Sequence, residues 1–370
     1  MKVASYNLEN LFMRPVVMNQ QGQAAGKAAL QAHATLNAIL SKTAYSAADK
    51  KRIIALLKEL KLDKKDDGGP YALLRQNRGH LLKRPRSGGI EVVANGRGDW
   101  IGFVELKREE VNEVATVNTA RVINDVDADI LGVIEAESRP ALLRFSQNVI
   151  GKVLGGRPYA HAMLIDGNDD RGIDVAILTR DGYDILSINS HVDDMDDTGR
   201  IFSRDCAQFE IATPHGTPVH VLVNHFKSKG YGTAADSNEK RRRQAARVKA
   251  IYDKLRQTQE LVAVLGDLND TPDSKPLAPL IDGTDLKDVS KHANFNDDGR
   301  PGTYANGTAG NKIDYILLSP ALFANIKSAG VERRGVWGGV NGTLFPHYPE
   351  VTKAAEAASD HAAIWADIEL

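Results

Sequence analysis

Leu261-Val262-Ala263-Val264-Leu265-Gly266-Asp267-Leu268-Asn269-Asp270 is the stretch whose reading decides the fold. An unbroken apolar run, with β-branched Val262 and Val264, ends in a glycine and a polar turn. Such a run suits a short strand covered on both faces, as in an α/β sheet, although periodicity by itself also admits a buried helix. Asp267, Asn269 and Asp270 then stand at the strand's end, where α/β sheets usually display ligand-binding and catalytic side chains.

Working outward, similar short runs occupy residues 2–6, 130–134, 175–179, 218–223 and 315–318. Polar residues border them in the same way. Asn7 and Glu9 follow the first, Glu135 the second, and Asn224 and His225 the fourth. Asp314 immediately precedes residues 315–318, and Asp360-His361 precedes 362–368. Helices are expected over about 24–40, 109–124 and 237–257. Another is expected from Ser46, with Asp49 in the capping-box position and Ile53, Ile54, Leu56, Leu57 and Leu60 on one face. Strands set among helices make the fold class α/β. The clustering of polar side chains at strand ends predicts one convergent site.

Taken singly these residues are ambiguous, because an acid after a strand is commonly a turn or cap residue; Asp270 and Asp273 read that way. The run Lys240-Arg241-Arg242-Arg243 reads as a solvated helix face, with Ala245, Val248, Tyr252 and Leu255 supplying the buried one.

Composition removes many alternatives. The chain has 370 residues, 42% hydrophobic and 26% charged, which is globular and excludes collagen-like, disordered and coiled-coil classes. A formal net charge of −1 offers no global field for nucleic acid or membrane, so any basic surface is local. The single cysteine, Cys206, excludes an intramolecular disulfide and thiolate-rich zinc sites. No apolar run approaches the roughly 18 residues of a membrane span. The chain as it stands is expected to be cytoplasmic, or secreted if a leader has been removed. Phosphate-loop, zincin-helix and nucleophile-elbow motifs are missing, which argues against nucleotide-driven motors, zincins and serine hydrolases.

The order and spelling of the segments then become informative. Ser5-Tyr6-Asn7-Leu8-Glu9-Asn10, Gly132-Val133-Ile134-Glu135, Arg171-Gly172-Ile173-Asp174, Asn224-His225-Phe226-Lys227-Ser228, Gly266-Asp267-Leu268-Asn269, Lys312-Ile313-Asp314-Tyr315 and Ser359-Asp360-His361 run nearly end to end. In these segments the sequence resembles the endonuclease/exonuclease/phosphatase superfamily, which contains deoxyribonuclease I, abasic-site endonucleases, neutral sphingomyelinases and inositol-polyphosphate phosphatases. The bacterial nuclease-like branch is the most similar in flavour. The resemblance implies a four-layer α/β/β/α sandwich of two mixed, mainly antiparallel sheets with the site at one rim. Two departures stand out: Ile134 takes the place of a frequent Gln, and the interval from Asn7 to Glu135 is unusually long. The chain is therefore expected to be a single domain over 1–370, with an insertion at about 14–108 after the first strand.

The resemblance, together with the needs of phosphodiester hydrolysis, also implies roles. Such hydrolysis requires a hard cation, an activated in-line water and donors where negative charge develops. Glu135 is expected as the principal metal ligand, assisted by Asn7 and by Asp360 or Glu9. Mg²⁺ suits this set, and oxygen donors also admit Mn²⁺ or Ca²⁺. Asp267 is expected to orient or deprotonate the water, Asn269 and His225 to hold the phosphate, and His361 to donate to the phosphoryl oxygen or leaving group, oriented by Asp314. Arg171 is expected to steady the site.

Substrate class is a separate question, because one metal site in this superfamily serves several esters. Between Pro70 and Gly98, Arg75, Arg78, Lys83, Arg84, Arg86 and Arg97 face only one acid, Glu91. With Tyr71 and Trp100 nearby, this stretch has the basic and aromatic character of a nucleic-acid surface. Asn224, Lys227, Arg84 and Arg86 are the expected substrate-binding residues, and nucleic acid, DNA foremost, is the expected substrate. No membrane or obligate protein partner is expected. The alternative is a phosphomonoesterase or small phosphodiesterase acting on a nucleotide, sugar phosphate or lipid headgroup. The loop 337–348, with Trp337, Phe345, His347 and Tyr348, is expected to wall the cleft.

Overall fold

Aliphatic runs without a polar side need cover on both faces, and the computed structural model supplies it by stacking two sheets. It describes residues 1–9, 24–107, 112–169, 172–230 and 232–370. The chain forms two compact units, Met1–Phe12 with Val111–Leu370, and Met13–Glu110.

In the first unit a seven-stranded sheet has the order Phe295–Asn296, Ile326–Glu332, Ala363–Ile368, Lys2–Asn7, Ile130–Ala136, Asp174–Thr179, His161–Ile165. A six-stranded sheet has the order Lys287–Asp288, Asp314–Leu318, Val262–Asp267, Val219–His225, Cys206–Ile211, Ile185–Asn189. Both are mixed and mainly antiparallel. Lys2–Asn7 runs parallel to Ile130–Ala136, and Val219–His225 runs parallel to Val262–Asp267.

Alternation along the strands builds the layers. Val3, Ile130, Val175 and Ile177 meet Val221, Val223, Ala263, Leu265 and Ile316 between the sheets. Ala4, Tyr6, Leu131 and Val133 face the other way, onto Ala120, Val122 and Ile123 of the helix Glu113–Val126. Leu222, Val262, Val264 and Leu317 likewise pack on Ala245, Val248, Ile251 and Tyr252 of the helix Ala234–Arg256. The result is the α/β/β/α sandwich. Gly132 marks a close approach between the two sheets, because a Cβ there would lie 2.0 Å from Leu265 Cδ1.

Caps set helix starts that periodicity misplaces. Asn112 accepts from Ala115 N, so that helix begins at Glu113 rather than near 109. Thr233 accepts from Asp236 N and starts the long helix at Ala234, three residues before the expected position.

The second unit contains the helices Ala24–Leu40 and Ala47–Glu59, the latter opened by a complete Ser46/Asp49 capping box. Ala72–Arg78 pairs with Ile101–Leu106, and Leu82–Lys83 with Glu91–Val92, both antiparallel. Leu36, Leu40, Ile53, Leu56, Leu57, Leu74, Trp100 and Val104 make a core of its own. Trp100 is fully buried and donates from Nε1 to Tyr45 Oη at 2.9 Å. The expectation that it adds aromatic character to the basic surface is thereby corrected: the indole fills the core. Among the described residues no helix is long and apolar enough to cross a membrane.

Candidate active site

Strand register assembles the site. Asp267 and Asp314 are directly opposed on antiparallel neighbours, and His225 is beside Asp267 on its parallel neighbour. All three lie on the face whose other residues fill the space between the sheets. Asn7 ends the central strand of the facing sheet, and its Nδ2 donates to Asp267 Oδ2 at 3.3 Å. That Nδ2 also lies 3.5 Å from His361 Nε2. Polar ends of both sheets thus meet at one rim.

Glu135 reaches this rim through a backbone irregularity. Regular alternation would put it on the helix-side face with Leu131 and Val133. The register shifts between Ile134 and Ala136, and Glu135 adopts φ of 65°, a bulge geometry that re-aims the side chain. Its Oε1 lies 3.9 Å from His225 Nε2, and Asp267 Oδ2 lies 3.7 Å from the same nitrogen. Glu9 and Asn269 also take left-handed backbone, with φ of 40° and 55°. Such conformations in non-glycine residues gather at functional sites because surrounding contacts must maintain them.

His361 is held from behind. Its Nδ1 lies 2.9 Å from Asp314 Oδ2, and Thr303 Oγ1 donates to that same oxygen at 2.6 Å. Thr303 Oγ1 in turn accepts from Asp314 N at 3.1 Å, closing a tight ring around the carboxylate. The Tyr304 ring lies 4.9 Å from the His361 imidazole. Neither Thr303 nor Tyr304 was expected from the sequence. They sit outside any apolar run or strand-end motif, and tertiary contacts bring them in: the isolated bridge between Tyr304 and His361 and the Thr303 bonds to Asp314. Ser359 Oγ donates to Asn7 O at 2.7 Å and accepts from His361 N, joining the last motif to the first. Glu9 Oε2 accepts from Asp360 N at 2.6 Å, so one of its oxygens secures the Asp360 backbone.

Burial and crowding set the charges. Asp267 is raised to about 7, first by burial and then by the Asp314 carboxylate, with His361 and the Asn269 N–H opposing. Burial alone would depress His361, but Asp314, with further contributions from Asp360 and Asp267, lifts it well above the usual histidine value. Asp267, Asp314 and His361 offer ligand atoms within 4.8 Å of one another. Glu135 stands at the same rim, Asn7 Oδ1 accepts from Glu9 N at 3.2 Å, and Asp360 Oδ1, 3.6 Å from His361 Nε2, is buried without a hydrogen-bond partner among the described residues. Hard oxygen donors, and a carboxylate whose proton affinity is raised by burial and by a neighbouring carboxylate, both fit a divalent cation, which would relieve that crowding.

Other expected residues fall elsewhere. Asn224 belongs to the helix-side face, one residue out of phase with His225, and donates to Leu222 O at 3.2 Å; it is fully buried and does not line the cluster. Lys227 is half-buried just beyond His225, with Nζ donating to Ser228 O at 3.2 Å. Arg171 lies outside the described residues. In the second unit Arg84 donates to Leu62 O, Asp63 O and Asp66 Oδ1 at 2.7 to 2.8 Å, a set of bonds that pins its chain turn rather than presenting its guanidinium to a ligand. Arg86 is exposed. Arg75 pairs with Glu105 at 2.6 Å, so acids flanking the basic stretch neutralise part of it. In the loop 337–348, Trp337 stacks on His347 at 5.4 Å and Tyr348 Oη donates to Asp125 at 3.0 Å, satisfying aromatic side chains within the sandwich. Arg241, expected on a solvated face, is fully buried against Asp270 at 3.0 Å.

Comparison with known proteins agrees with this architecture. Residues 84–330 match the model of the Endonuclease/Exonuclease/phosphatase family. A search of curated protein sequences found no significant match. Among solved structures, the chain is similar to a Bacteroides thetaiotaomicron mannosyl-6-phosphatase, at 18% identity and a TM-score of 0.51, over 69% of this chain and 91% of that one. It is also similar to an endonuclease/exonuclease/phosphatase family protein of the same organism, at 18% identity and a TM-score of 0.50, over 68% of this chain and 85% of that one. The human Nocturnin catalytic domain aligns at 16% identity and a TM-score of 0.49, over 70% and 86% of the two chains.

Proposed function

Because the chain belongs to the endonuclease/exonuclease/phosphatase family, we propose that it is a divalent-metal-dependent hydrolase of phosphate esters and that its substrate is a nucleic-acid phosphodiester, DNA foremost. The observation that carries the hydrolytic reading is the convergence of Asn7, Glu135, His225, Asp267 and the Asp314–His361 pair from both sheets onto one rim.

Glu135 and Asn7 would hold the cation, with Asp360 and Glu9 as additional support; Mg²⁺ suits this set, and Mn²⁺ or Ca²⁺ fits the same donors. When bound, the cation supplies Lewis-acid stabilisation of a non-bridging phosphoryl oxygen. Asp267 orients the attacking water and accepts its proton, a task suited to a carboxylate whose proton affinity has been raised toward neutrality. Asn269 spends one amide hydrogen on Phe226 O at 3.1 Å and offers the other to phosphate, alongside His225 Nε2. His361, its Nδ1 directed at Asp314, presents Nε2 to a phosphoryl or leaving-group oxygen. Its raised proton affinity keeps the imidazolium available as a donor at neutral pH. Arg171 is assigned the steadying role that the resemblance implies for it.

Lys227, two residues after His225, and exposed Arg86 support the nucleic-acid reading. The second reading is a phosphomonoesterase or small phosphodiesterase. The fold shared with a protein described as a mannosyl-6-phosphatase favours keeping it, since this fold accommodates several esters.

The test is cleavage of supercoiled plasmid, linear duplex and single-stranded DNA with Mg²⁺, Mn²⁺ or EDTA, with Asp267→Asn run alongside. Metal-dependent cleavage reduced at least about a thousandfold in the variant is expected, in keeping with the loss of an essential catalytic group. Retained turnover in Asp267→Asn removes Asp267 from its role. No cleavage of any DNA, with phosphate release from small esters, moves the assignment to the second reading.

A further inference from the structure

The dipeptide after His225, Phe226-Lys227, has all four of its backbone polar groups satisfied, three of them by side chains arriving from separate parts of the chain. Phe226 N donates to Asp267 O at 2.9 Å. Phe226 O accepts from Asn269 Nδ2 at 3.1 Å and from Arg204 Nη2 at 2.6 Å. Lys227 N donates to Gln244 Oε1 at 2.9 Å, and Lys227 O accepts from Arg241 Nη1 at 2.8 Å. Both arginines are fully buried, and each has its own carboxylate: Arg204 pairs with Asp169 at 3.1 Å and Arg241 with Asp270 at 3.0 Å.

Burying two guanidiniums is costly, and a buried ion pair is weak evidence for stability as such. What these two share is the segment they grip. We propose that Arg204 and Arg241 are positioning residues of the hydrolytic site, clamping the Phe226–Lys227 backbone so that His225 and Asn269 keep a fixed spacing. The inference rests on the reading of His225 and Asn269 as phosphate donors. Arg204 meets Asn269 on a single carbonyl oxygen, so displacement of that oxygen moves both sides of the site. Arg241 ties the same segment to Asp270, the residue after Asn269, and therefore couples the His225 strand to the Asn269 turn. A planar fork is required because one side chain must meet a carboxylate and a carbonyl in different directions. The ammonium of Lys keeps the charge but meets fewer of these partners. Lys229 Nζ lies 2.6 Å from Asp270 Oδ1, so Asp270 retains a cationic neighbour when Arg241 is replaced.

The experiment uses Arg241→Lys and Arg204→Lys in the full chain, with steady-state hydrolysis of bis(p-nitrophenyl) phosphate, melting curves and the imidazole NMR resonances of His225, assigned through His225→Gln. Expected is a fall in kcat of about tenfold or more with KM changed less than about threefold, because misplaced donors cost more in the transition state than in the ground state. In an Asn269→Ala background the Arg241→Lys loss should largely disappear, since the two act on the same event. Equal losses in both backgrounds, or losses explained entirely by unfolding, overturn the clamp. If the wild-type chain hydrolyses no phosphate ester, the functional reading fails on its own, and the clamp is judged by the resonances alone. His225 shifting while His292, packed on Phe323, stays in place supports it; an unmoved His225 refutes it.

Discussion

Asp267 is the residue at which burial, charge and the proposed catalysis meet, and its pH response is opposite to that of a carboxylate in a favourable ion pair. Its folded value is about 7, against an unfolded value near 3.9. The folded state thus binds this proton more tightly, so the associated stability is full below pH 4 or so and is lost as pH rises through 7. His361 has the same sign, with its contribution intact below its unfolded value and lost as pH rises through its elevated folded one. In EDTA, Asp267→Asn should therefore gain on wild type between pH 4 and pH 8, by a few kcal/mol at most. Melting temperatures at the two pH values check this, and a constant gap contradicts it. Mg²⁺ should raise the wild-type Tm more at pH 8 than at pH 5, because protons and cation compete for the same oxygens. Thr303→Val removes the donor that shares Asp314 Oδ2 with His361 and should cost about 1–3 kcal/mol and lower kcat, as read from denaturant unfolding and initial rates.

At the scale of elements, the bulge at Glu135 does what a regular strand cannot. It converts a residue that would face the helices into one that faces the rim, at the expense of left-handed backbone. Substitution separates the two effects. Both Glu135→Gly and Glu135→Ala should abolish hydrolysis, but the glycine variant should be the more stable by about 1 kcal/mol, since only the alanine keeps a Cβ at positive φ. Equal unfolding midpoints would show that the bulge relaxes without cost. Gly266, with φ of 134° and only 1.9 Å from an added Cβ to Asn224 O, shows the complementary case in which close backbone approach excludes a side chain. Such features escape pattern reading because a bulge leaves apolar periodicity on either side almost unchanged. The Ser46 capping box, by contrast, was legible because its partners are three residues apart in sequence.

Across the whole molecule, near-zero net charge means that the proposed nucleic-acid binding would depend on local cations, and the structure divides those cations by their existing partners. Arg86→Ser should flatten the salt dependence of DNA binding by about 0.7–0.9 in log–log slope if it meets one phosphate, with Tm unchanged. Arg84→Ser should instead lower Tm, because Leu62, Asp63 and Asp66 lose their donor. Binding isotherms at several salt concentrations and melting curves decide between these outcomes. The amino-acid sequence by itself determined the α/β class, the central strands of the two sheets and the polar residues at their ends, because apolar runs and strand-end polarity are properties of neighbours along the chain, whereas outer strands such as His161–Ile165, Ile185–Asn189 and Ile326–Glu332 were not legible in it. Its order of motifs pointed to Asn7, Glu135, His225, Asp267, Asp314 and His361. Tertiary structure alone decided that Asn224 faces away, that Glu135 is turned inward, that Thr303 backs Asp314, and that Arg204 and Arg241 are buried on one backbone segment. Those outcomes depend on sheet register and on partners far apart in sequence, where the free energy of a side chain is set by what folding brings against it.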